Sequence, residues 1–401
     1  MQRPPRILQI ALALALVTGC DAPPPDAAGP AVRRDSAGAE HVAYAAMPAL
    51  AARTVGDEGV PVGPGEEFGI IIAASYLPDG RAVVTDVSNY RFGIFSESGT
   101  LVRWLGREGS GPLEFRNLAW ARPFGDSIMA FDRALRRLTV TDTAGKHGRA
   151  LTLLSPAEGL APEALTVLGD GGVLVRTTAV VMASVEPGIH RPEQRLWRYA
   201  PEGTPLGTVG PPLQAQEWVK LADPQVLMPR PFGGEALVAT APERIYLVDS
   251  GMAAVAALTG EGRLLRRTQL PIEPEPIGAR PARYREQQVN AARQSDRPGG
   301  VITAERLVDA IPFPERVPAF RRALVDADGR LWLQRYPGTD ESDARFLVLS
   351  PDGRLVDQVM FPVGTVLFDA KGDEALVRRT GPDGAHQMWR MPLSAAVPPS
   401  P

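Results

Sequence analysis

The sequence predicts an all-β fold built from many short antiparallel strands. Of its 401 residues, 40 are glycine and 40 are proline, whereas 44% are hydrophobic. A chain with this many turn-forming residues and enough apolar residues for a core is typical of short strands joined by tight turns. Its segments also repeat at a regular spacing, which predicts the architecture.

Three sequence landmarks recur together at spacings of 46 or 47 residues. The matched pairs are Phe68 and Phe115, Asp86 and Asp132, and Gly99 and Gly145. A period of this length is typical of a four-stranded propeller blade. The sequence therefore predicts a six-bladed β-propeller. Five or seven blades are the alternative counts, because the third unit is irregular.

A turn of small and acidic residues that ends in glycine recurs along the chain. Its glycines are Gly99, Gly145, Gly203, Gly262 and Gly353. We interpret each as the turn into the outermost strand of a blade, where a tight antiparallel connection favours a positive φ angle. The spacings of 46, 58 and 59 residues fit blades with variable loops. The last spacing, of 91 residues, is too long for one blade.

A helical insertion at about residues 271–318 accounts for that long spacing. Residues 281–294 and 303–311 lack strand alternation, are rich in helix formers and are bracketed by proline and glycine. Arginines are frequent here, and we interpret them as a solvated helical face, with a lid or docking surface as the alternative. They are Arg280, Arg283, Arg285, Arg293, Arg297 and Arg306.

The sixth blade is predicted to close the ring by joining the two ends of the chain. Residues 364–393 have room for three strands, and we predict residues 40–47 as the missing fourth strand. Closure of this kind removes exposed sheet edges. The predicted propeller therefore covers residues 41–395.

The amino end has the features of an export signal. Arg3 and Arg6 precede an apolar stretch at residues 7–17, which is shorter than a membrane-spanning helix. Val17, Thr18, Gly19 and Cys20 follow, and Cys20 is the only cysteine. The alternative interpretation of this residue is a free buried thiol.

The segment from Val17 to Cys20 resembles the bacterial lipoprotein box. The resemblance implies that residues 1–19 form a signal peptide and that Cys20 becomes the lipidated first residue. Several acyl chains anchor a protein stably where one does not. Residues 20–40, rich in proline and alanine, are predicted to be a flexible tether. The expected location is the cell envelope, facing the periplasm or the exterior, with the choice of membrane open.

The first blade resembles an NHL-type repeat, and the whole chain resembles the six-bladed propeller lipoproteins of bacteria. The matching residues are Asp86, Asn89, Arg91, Gly106, Gly109, Gly111, Pro112 and Phe115. This resemblance implies the fold, and most proteins of the group have no assigned activity.

Metal-dependent catalysis has little support in the sequence. A calcium-dependent lactonase of the gluconolactonase type would need channel oxygen ligands, and of Asn89, Asn117 and Asn290 only Asn117 is near an inner strand. The four histidines, His41, His147, His190 and His386, do not occupy equivalent inner-strand positions. No catalytic residue, metal ligand or cofactor is predicted.

The aspartates at strand ends, Asp86, Asp132 and Asp249, have two interpretations. They could form a ring of carboxylates, or each could cap the turn that follows it. We favour the capping role because the residue recurs at the same place in each unit.

The predicted function is a lipid-anchored, monomeric binding or scaffold module for a protein or an envelope glycan. The alternative is a divalent-metal-dependent lactonase or hydrolase with its site in the propeller channel. The net charge of −3 does not favour nucleic-acid binding.

Overall fold

The computed structural model describes residues 29–56, 58–179, 185–223, 225–294, 300–336 and 343–394. These residues form a six-bladed β-propeller, which confirms the predicted fold. Each blade is an antiparallel meander whose first strand is innermost, and inner strands of neighbouring blades pack around a central channel.

The bounds of the blade strands follow, innermost strand first. They are Ile71–Tyr76, Ala82–Asp86, Arg91–Phe95 and Leu101–Leu105 in blade 1; Leu118–Phe124, Ser127–Asp132, Arg137–Asp142 and His147–Thr152 in blade 2; Leu160–Val167, Val173–Ala179, Glu193–Tyr199 and Pro205–Gln214 in blade 3; Ala236–Ala241, Arg244–Asp249, Ala254–Thr259 and Leu264–Gln269 in blade 4; Phe320–Val325, Leu331–Arg335, Asp343–Leu349 and Leu355–Pro362 in blade 5; and Val366–Lys371, Glu374–Thr380, His386–Pro392 and Val60–Val62 in blade 6.

The strand that closes the ring is Val60–Val62, so the prediction of residues 40–47 for this role is wrong. Val60–Val62 pairs antiparallel with His386–Pro392 in blade 6. Glu40–Ala43 instead pairs in parallel with the outer strand of blade 4, and Ala52–Thr54 does the same on blade 5. Without these two strands, the outer edges of blades 4 and 5 would leave backbone groups unpaired.

The tether predicted for residues 20–40 is ordered over part of its length. Ala31–Arg34 forms a hairpin with Glu40–Ala43, so the prediction is wrong from Ala31 onward. The Glu40 side chain of this hairpin also reaches blade 4, since it pairs with Arg266 as well as with Arg34. Cys20 and the predicted signal peptide lie outside the described residues.

The five turn glycines lie where the sequence predicted them. Each connects the third strand of a blade to its outer strand, and their φ angles lie between 77° and 93°. A residue with a Cβ is strained at these angles.

Two helices lie between blades 4 and 5, as predicted. Helix α1 is Arg280–Gln294 and helix α2 is Gly300–Asp309. The two-stranded pair Glu275–Pro276 and Arg316–Val317 joins the bases of the insertion. None of the described helices is long and apolar enough to cross a membrane.

The insertion lies on the face where outer strands connect to the next inner strands, here called the upper face. Its side chains Tyr284, Leu307 and Phe313 pack against Val219 and Leu221. Val219 belongs to a strand of a small sheet, and Leu221 directly follows that strand. The strands of that sheet are Gly188–His190, Trp218–Lys220 and Leu227–Pro229, and a separate short pair is Arg107–Glu108 with Glu114–Phe115.

The hydrophobic core lies between adjacent blades. In one example, the rings of Trp332, Phe346 and Phe361 in blade 5 pack edge to face or tilted, with centroids 5.3–6.5 Å apart, and form one cluster with Leu367 and Val377 of blade 6. Such packing holds each blade against the next and leaves the inner strands to line the channel.

Candidate functional site

The inner strands of five blades contain a β-bulge or similar irregularity where they line the channel. It occurs in blades 1, 2, 3, 5 and 6. A bulge interrupts the hydrogen-bond ladder and redirects a side chain. The channel wall therefore presents carbonyl oxygens and side chains that a regular strand would not.

Two arginines use these carbonyl oxygens as acceptors. Arg122 of blade 2 donates from Nη1 to the oxygen of Leu165, the bulged residue of blade 3, at 3.0 Å. Arg378 of blade 6 donates from Nη1 to the oxygen of Ile71, beside the bulge of blade 1, at 2.8 Å. Both guanidinium groups are thereby held across blade boundaries at the channel.

Blade 5 adds two consecutive arginines, Arg321 and Arg322. Arg321 is at the bulge, between Phe320 and Arg322. The guanidinium carbon of Arg322 is 5.5 Å from the ring centroid of Phe368 on the next inner strand. Within the described parts of the chain, no carboxylate or hydrogen-bond acceptor contacts either guanidinium group.

The four arginines influence one another electrostatically. Burial, together with the positive charges of Arg321, Arg122 and Arg378, lowers the pKa of Arg322 to about 10. Burial also lowers the pKa values of Arg321, Arg122 and Arg378. In addition, Nε of Arg378 is buried without a hydrogen-bond partner among the described residues.

The nearest carboxylates have other partners. Glu163 of blade 3 pairs with Arg133 and Arg176 at 2.7 and 2.5 Å. Asp369 of blade 6 accepts backbone N–H bonds at 2.8–3.0 Å, from Ala370, Ala327 and Tyr76. Both carboxylates offset part of the charge of Arg122, whereas Arg322 is surrounded by other positive charges, an arrangement suited to an anion.

The upper mouth of the channel combines the carboxyl group of Glu235, the phenol of Tyr336 and the guanidinium group of Arg321. Glu235 directly precedes the inner strand of blade 4, and burial raises the pKa of its side chain. Tyr336 follows the second strand of blade 5. Burial and the neighbouring Glu235 raise the pKa of Tyr336, whereas Arg321 and Arg280 act in the opposite direction.

An aromatic cluster adjoins the mouth. The ring of Phe232 lies 6.0–6.4 Å from the rings of Tyr284, Phe313 and Tyr336. Tyr336 thus joins the charged mouth to the apolar contact between the insertion and the propeller.

The channel residues do not fit a divalent cation. No group of three or more His, Cys, Asp or Glu side chains that could hold a metal ion occurs in the portion of the chain that the structure describes. The backbone N–H of Asn117, the one asparagine expected near an inner strand, donates to Asp132 at 3.0 Å. Four guanidinium groups would also repel a cation.

The histidines are dispersed and have separate local roles. His386 accepts a hydrogen bond at Nδ1 from the backbone N–H of Ile71, at 3.0 Å. His41 pairs with Asp35, and His190 contacts the backbone oxygen of Glu186. His147 begins the outer strand of blade 2.

Asp132 and Asp249 cap the turns that follow them, which confirms the favoured interpretation for two of the three strand-end aspartates. Asp132 accepts the N–H of Leu135 at 2.7 Å, and Asp249 accepts those of Gly251 and Met252 at 3.0 Å. Asp86 binds the side-chain amide of Asn89 at 2.7 Å. These carboxylates are engaged by their own blades and do not form a ring in the channel.

The arginines of the insertion have local partners. Arg280 is buried and pairs with Glu275, Arg285 pairs with Asp309, and Arg306 pairs with Asp223. Arg293 donates to Asn290. Arg297 lies outside the described residues.

Sequence reasoning missed the channel arginines. Arg122, Arg321 and Arg322 lie within inner strands, and Arg378 lies in a second strand. The available signal was an arginine inside an otherwise apolar strand, most clearly the consecutive pair at the start of the fifth unit.

Comparisons with known proteins concern the fold alone. No family model matches the chain, and no curated protein matches it. Among solved structures, it is similar to a member of the DUF4221 family from Bacteroides vulgatus, with 12% identity over 87% of this chain and 99% of that one and a TM-score of 0.48. It is also similar to a gluconolactonase from Xanthomonas campestris, with 14% identity over 87% and 98% and a TM-score of 0.41. It is similar, too, to the calcium-binding protein regucalcin from Agrobacterium tumefaciens, with 11% identity over 87% of this chain and 98% of that one and a TM-score of 0.39.

Proposed function

We propose that this protein is an exported, lipid-anchored β-propeller that binds an anionic component of the cell envelope in its central channel. The observation that carries the proposal is Arg322, which is half-buried, lies against Phe368 and contacts no counter-ion among the described residues, while the charges of three further arginines lower its pKa. Uncompensated charge is costly to bury. An anionic ligand would supply the missing charge.

Binding is favoured over metal-dependent hydrolysis because of the chemistry of the channel wall. Guanidinium groups match carboxylate and phosphate oxygens through paired hydrogen bonds. A divalent cation would need a cage of oxygen ligands in the same space. No specific contact in the structure favours the lactonase alternative.

The anchor is proposed from the lipoprotein box at Cys20. If Cys20 carries the lipid, Cys20→Ala should move the protein from the membrane fraction to the soluble fraction. Mass spectrometry of the amino-terminal peptide should show the acyl chains on the wild type. An unmodified thiol in a protein that sediments with membranes would contradict the anchor but not the binding site.

Channel binding can be tested by oxyanion-dependent stabilisation. We expect sulfate to raise the unfolding temperature of the wild type more than chloride does at equal ionic strength. Arg322→Met should remove that difference and, without ligand, raise the unfolding temperature because the repulsion is relieved. The matched control is Arg285→Met in helix α1, which removes an exposed arginine.

Sulfate also stabilises proteins generally by exclusion from their surfaces. An equal sulfate effect in the wild type and both variants would therefore indicate only that general effect, and would overturn the proposed site.

A further inference from the structure

We propose that the anionic ligand is an acidic glycan, whose uronate carboxylate binds Arg321 and Arg322 while its sugar hydroxyls bind Glu235 and Tyr336 at the channel mouth. This inference rests on the proposed anion-binding function and names its ligand class. It depends on the neighbouring groups at the mouth, which anion binding alone does not require.

The two consecutive arginines suit a planar carboxylate. Arg321 lies at the register shift between Phe320 and Arg322, where the regular alternation of side chains between the two faces of a strand is interrupted. Phe368 lies against the guanidinium group of Arg322 and restricts its position. A guanidinium group that is already positioned loses less entropy when it binds a carboxylate in a bidentate manner.

Glu235 argues for a ligand that also carries hydroxyl groups. None of the described residues donates a hydrogen bond to its side-chain oxygens, and burial raises its pKa. A sugar hydroxyl can donate to this carboxyl group. A ligand whose polar groups are all phosphates has no such donor and would bring negative charge close to Glu235.

Tyr336 supplies the complementary group and an apolar surface. Glu235 and Arg321 lie at the upper ends of the neighbouring inner strands of blades 4 and 5, and the charges of both act on the pKa of Tyr336. Its ring packs 6.4 Å from that of Phe232. Aromatic rings next to a few directed polar groups are typical of small-molecule sites, and their faces accept the C–H surface of a sugar.

The insertion fixes one side of the mouth. Glu275 at its base binds Arg280 of helix α1 at 2.9 Å and Arg335, the residue before Tyr336, at 3.1 Å. This shared carboxylate ties the end of the second strand of blade 5 to the helix. The insertion is therefore placed to contact the sugar units that extend beyond the channel.

The test is calorimetric titration of the full mature chain with defined oligosaccharides. The probes are oligogalacturonate, oligomannuronate and hyaluronan fragments, each compared with its methyl-esterified, uncharged form. We expect at least one acidic oligosaccharide to bind, and its esterified form to bind about tenfold to a hundredfold more weakly. A hexaglutamate peptide and sulfate complete the set.

Two substitutions separate the glycan site from simple anion binding. Arg322→Met should weaken the binding of both the acidic oligosaccharide and sulfate. Glu235→Gln should weaken binding of the oligosaccharide. It should leave sulfate binding unchanged or make it tighter, because the substitution removes a negative charge. Arg285→Met should change neither.

The outcomes distinguish this inference from the proposed function. The assignment of the ligand as an acidic glycan is overturned if sulfate stabilises the protein through Arg322 but no oligosaccharide binds. It is also overturned if hexaglutamate binds more tightly than every oligosaccharide. In both cases the proposed anion binding stands. If neither sulfate nor any oligosaccharide depends on Arg322, both are overturned.

Discussion

The carbonyl oxygen of Pro61 occupies the position where a Cβ atom on Gly99 would lie. Pro61 is in the closing strand of blade 6, and Gly99 is in the outer turn of blade 1. The backbone N–H of Gly63 also donates to the oxygen of Gly99, at 2.7 Å. The turn glycine of the first blade is thus a direct contact for the strand that closes the ring.

Gly99→Ala should therefore destabilise the protein through two effects. The φ angle of 79° is strained for alanine, at a cost of about 1 kcal/mol. Overlap with the closing strand should add about 1–3 kcal/mol. Denaturant unfolding of the purified protein measures the sum.

The control for this substitution is Gly384→Ala in blade 6. Its φ angle is 82°, and no atom lies within 4 Å of the added Cβ. Gly384→Ala should therefore lose only the stability that corresponds to the backbone strain. Equal losses of stability in the two variants would contradict the role of Gly99 in closure.

Ring closure can be tested by stepwise truncation from the amino end. Removal of residues 1–34 leaves Glu40–Ala43, Ala52–Thr54 and Val60–Val62 on their blades, so the protein should remain folded and monomeric. Removal of residues 1–62 deletes the outer strand of blade 6 and exposes a sheet edge. That form should aggregate or unfold at lower denaturant concentration, as size-exclusion chromatography and unfolding curves would show. Matching behaviour of the two truncated forms would count against closure by Val60–Val62.

His386 should make stability depend on pH. Burial, and secondarily the charge of Arg378, lowers its pKa below the ordinary histidine value of 6.5, although Asp86 acts in the opposite direction. The unfolded chain therefore takes up a proton at His386 before the folded protein does. Stability should fall as the pH drops below about 6.5 and level off below the folded pKa. Protonation of Nδ1 would also remove the acceptor for the N–H of Ile71.

His386→Asn provides the comparison, because its side-chain oxygen can accept the same hydrogen bond without titrating. The measured quantity is the free energy of unfolding between pH 7 and pH 5. We expect a smaller loss in the variant than in the wild type. An identical pH dependence would assign the effect to other groups.

Asp132→Ala should lower stability without affecting ligand binding. The carboxylate is fully buried and accepts N–H bonds from Arg116, Asn117 and Leu135 at 2.6–3.0 Å. Loss of these acceptors should cost about 2–4 kcal/mol. Asp126→Ala, in the exposed turn of the same blade, should change stability by less than about 0.5 kcal/mol. A selective loss of anion binding in Asp132→Ala would instead support a carboxylate role in the channel.

The features that depend on local conformation and periodicity were predictable from the amino-acid sequence. The turn glycines, including Gly99 and Gly353, were predictable because only glycine adopts their φ angles without strain. The helices at Arg280–Gln294 and Gly300–Asp309 were predictable because the strand alternation is interrupted there. The size of a blade followed from the length of the repeat.

Which strand closes the ring and which residues line the channel depend on contacts between distant parts of the chain. Glu40–Ala43 and Val60–Val62 are both short strands near the amino end, and the choice between them depends on which sheet edge each one reaches. Arg122, Arg322 and Arg378 come from blades 2, 5 and 6 and interact only because the ring brings distant strands around one axis. Electrostatic interaction depends on distance in space, and no local pattern in the chain encodes that distance.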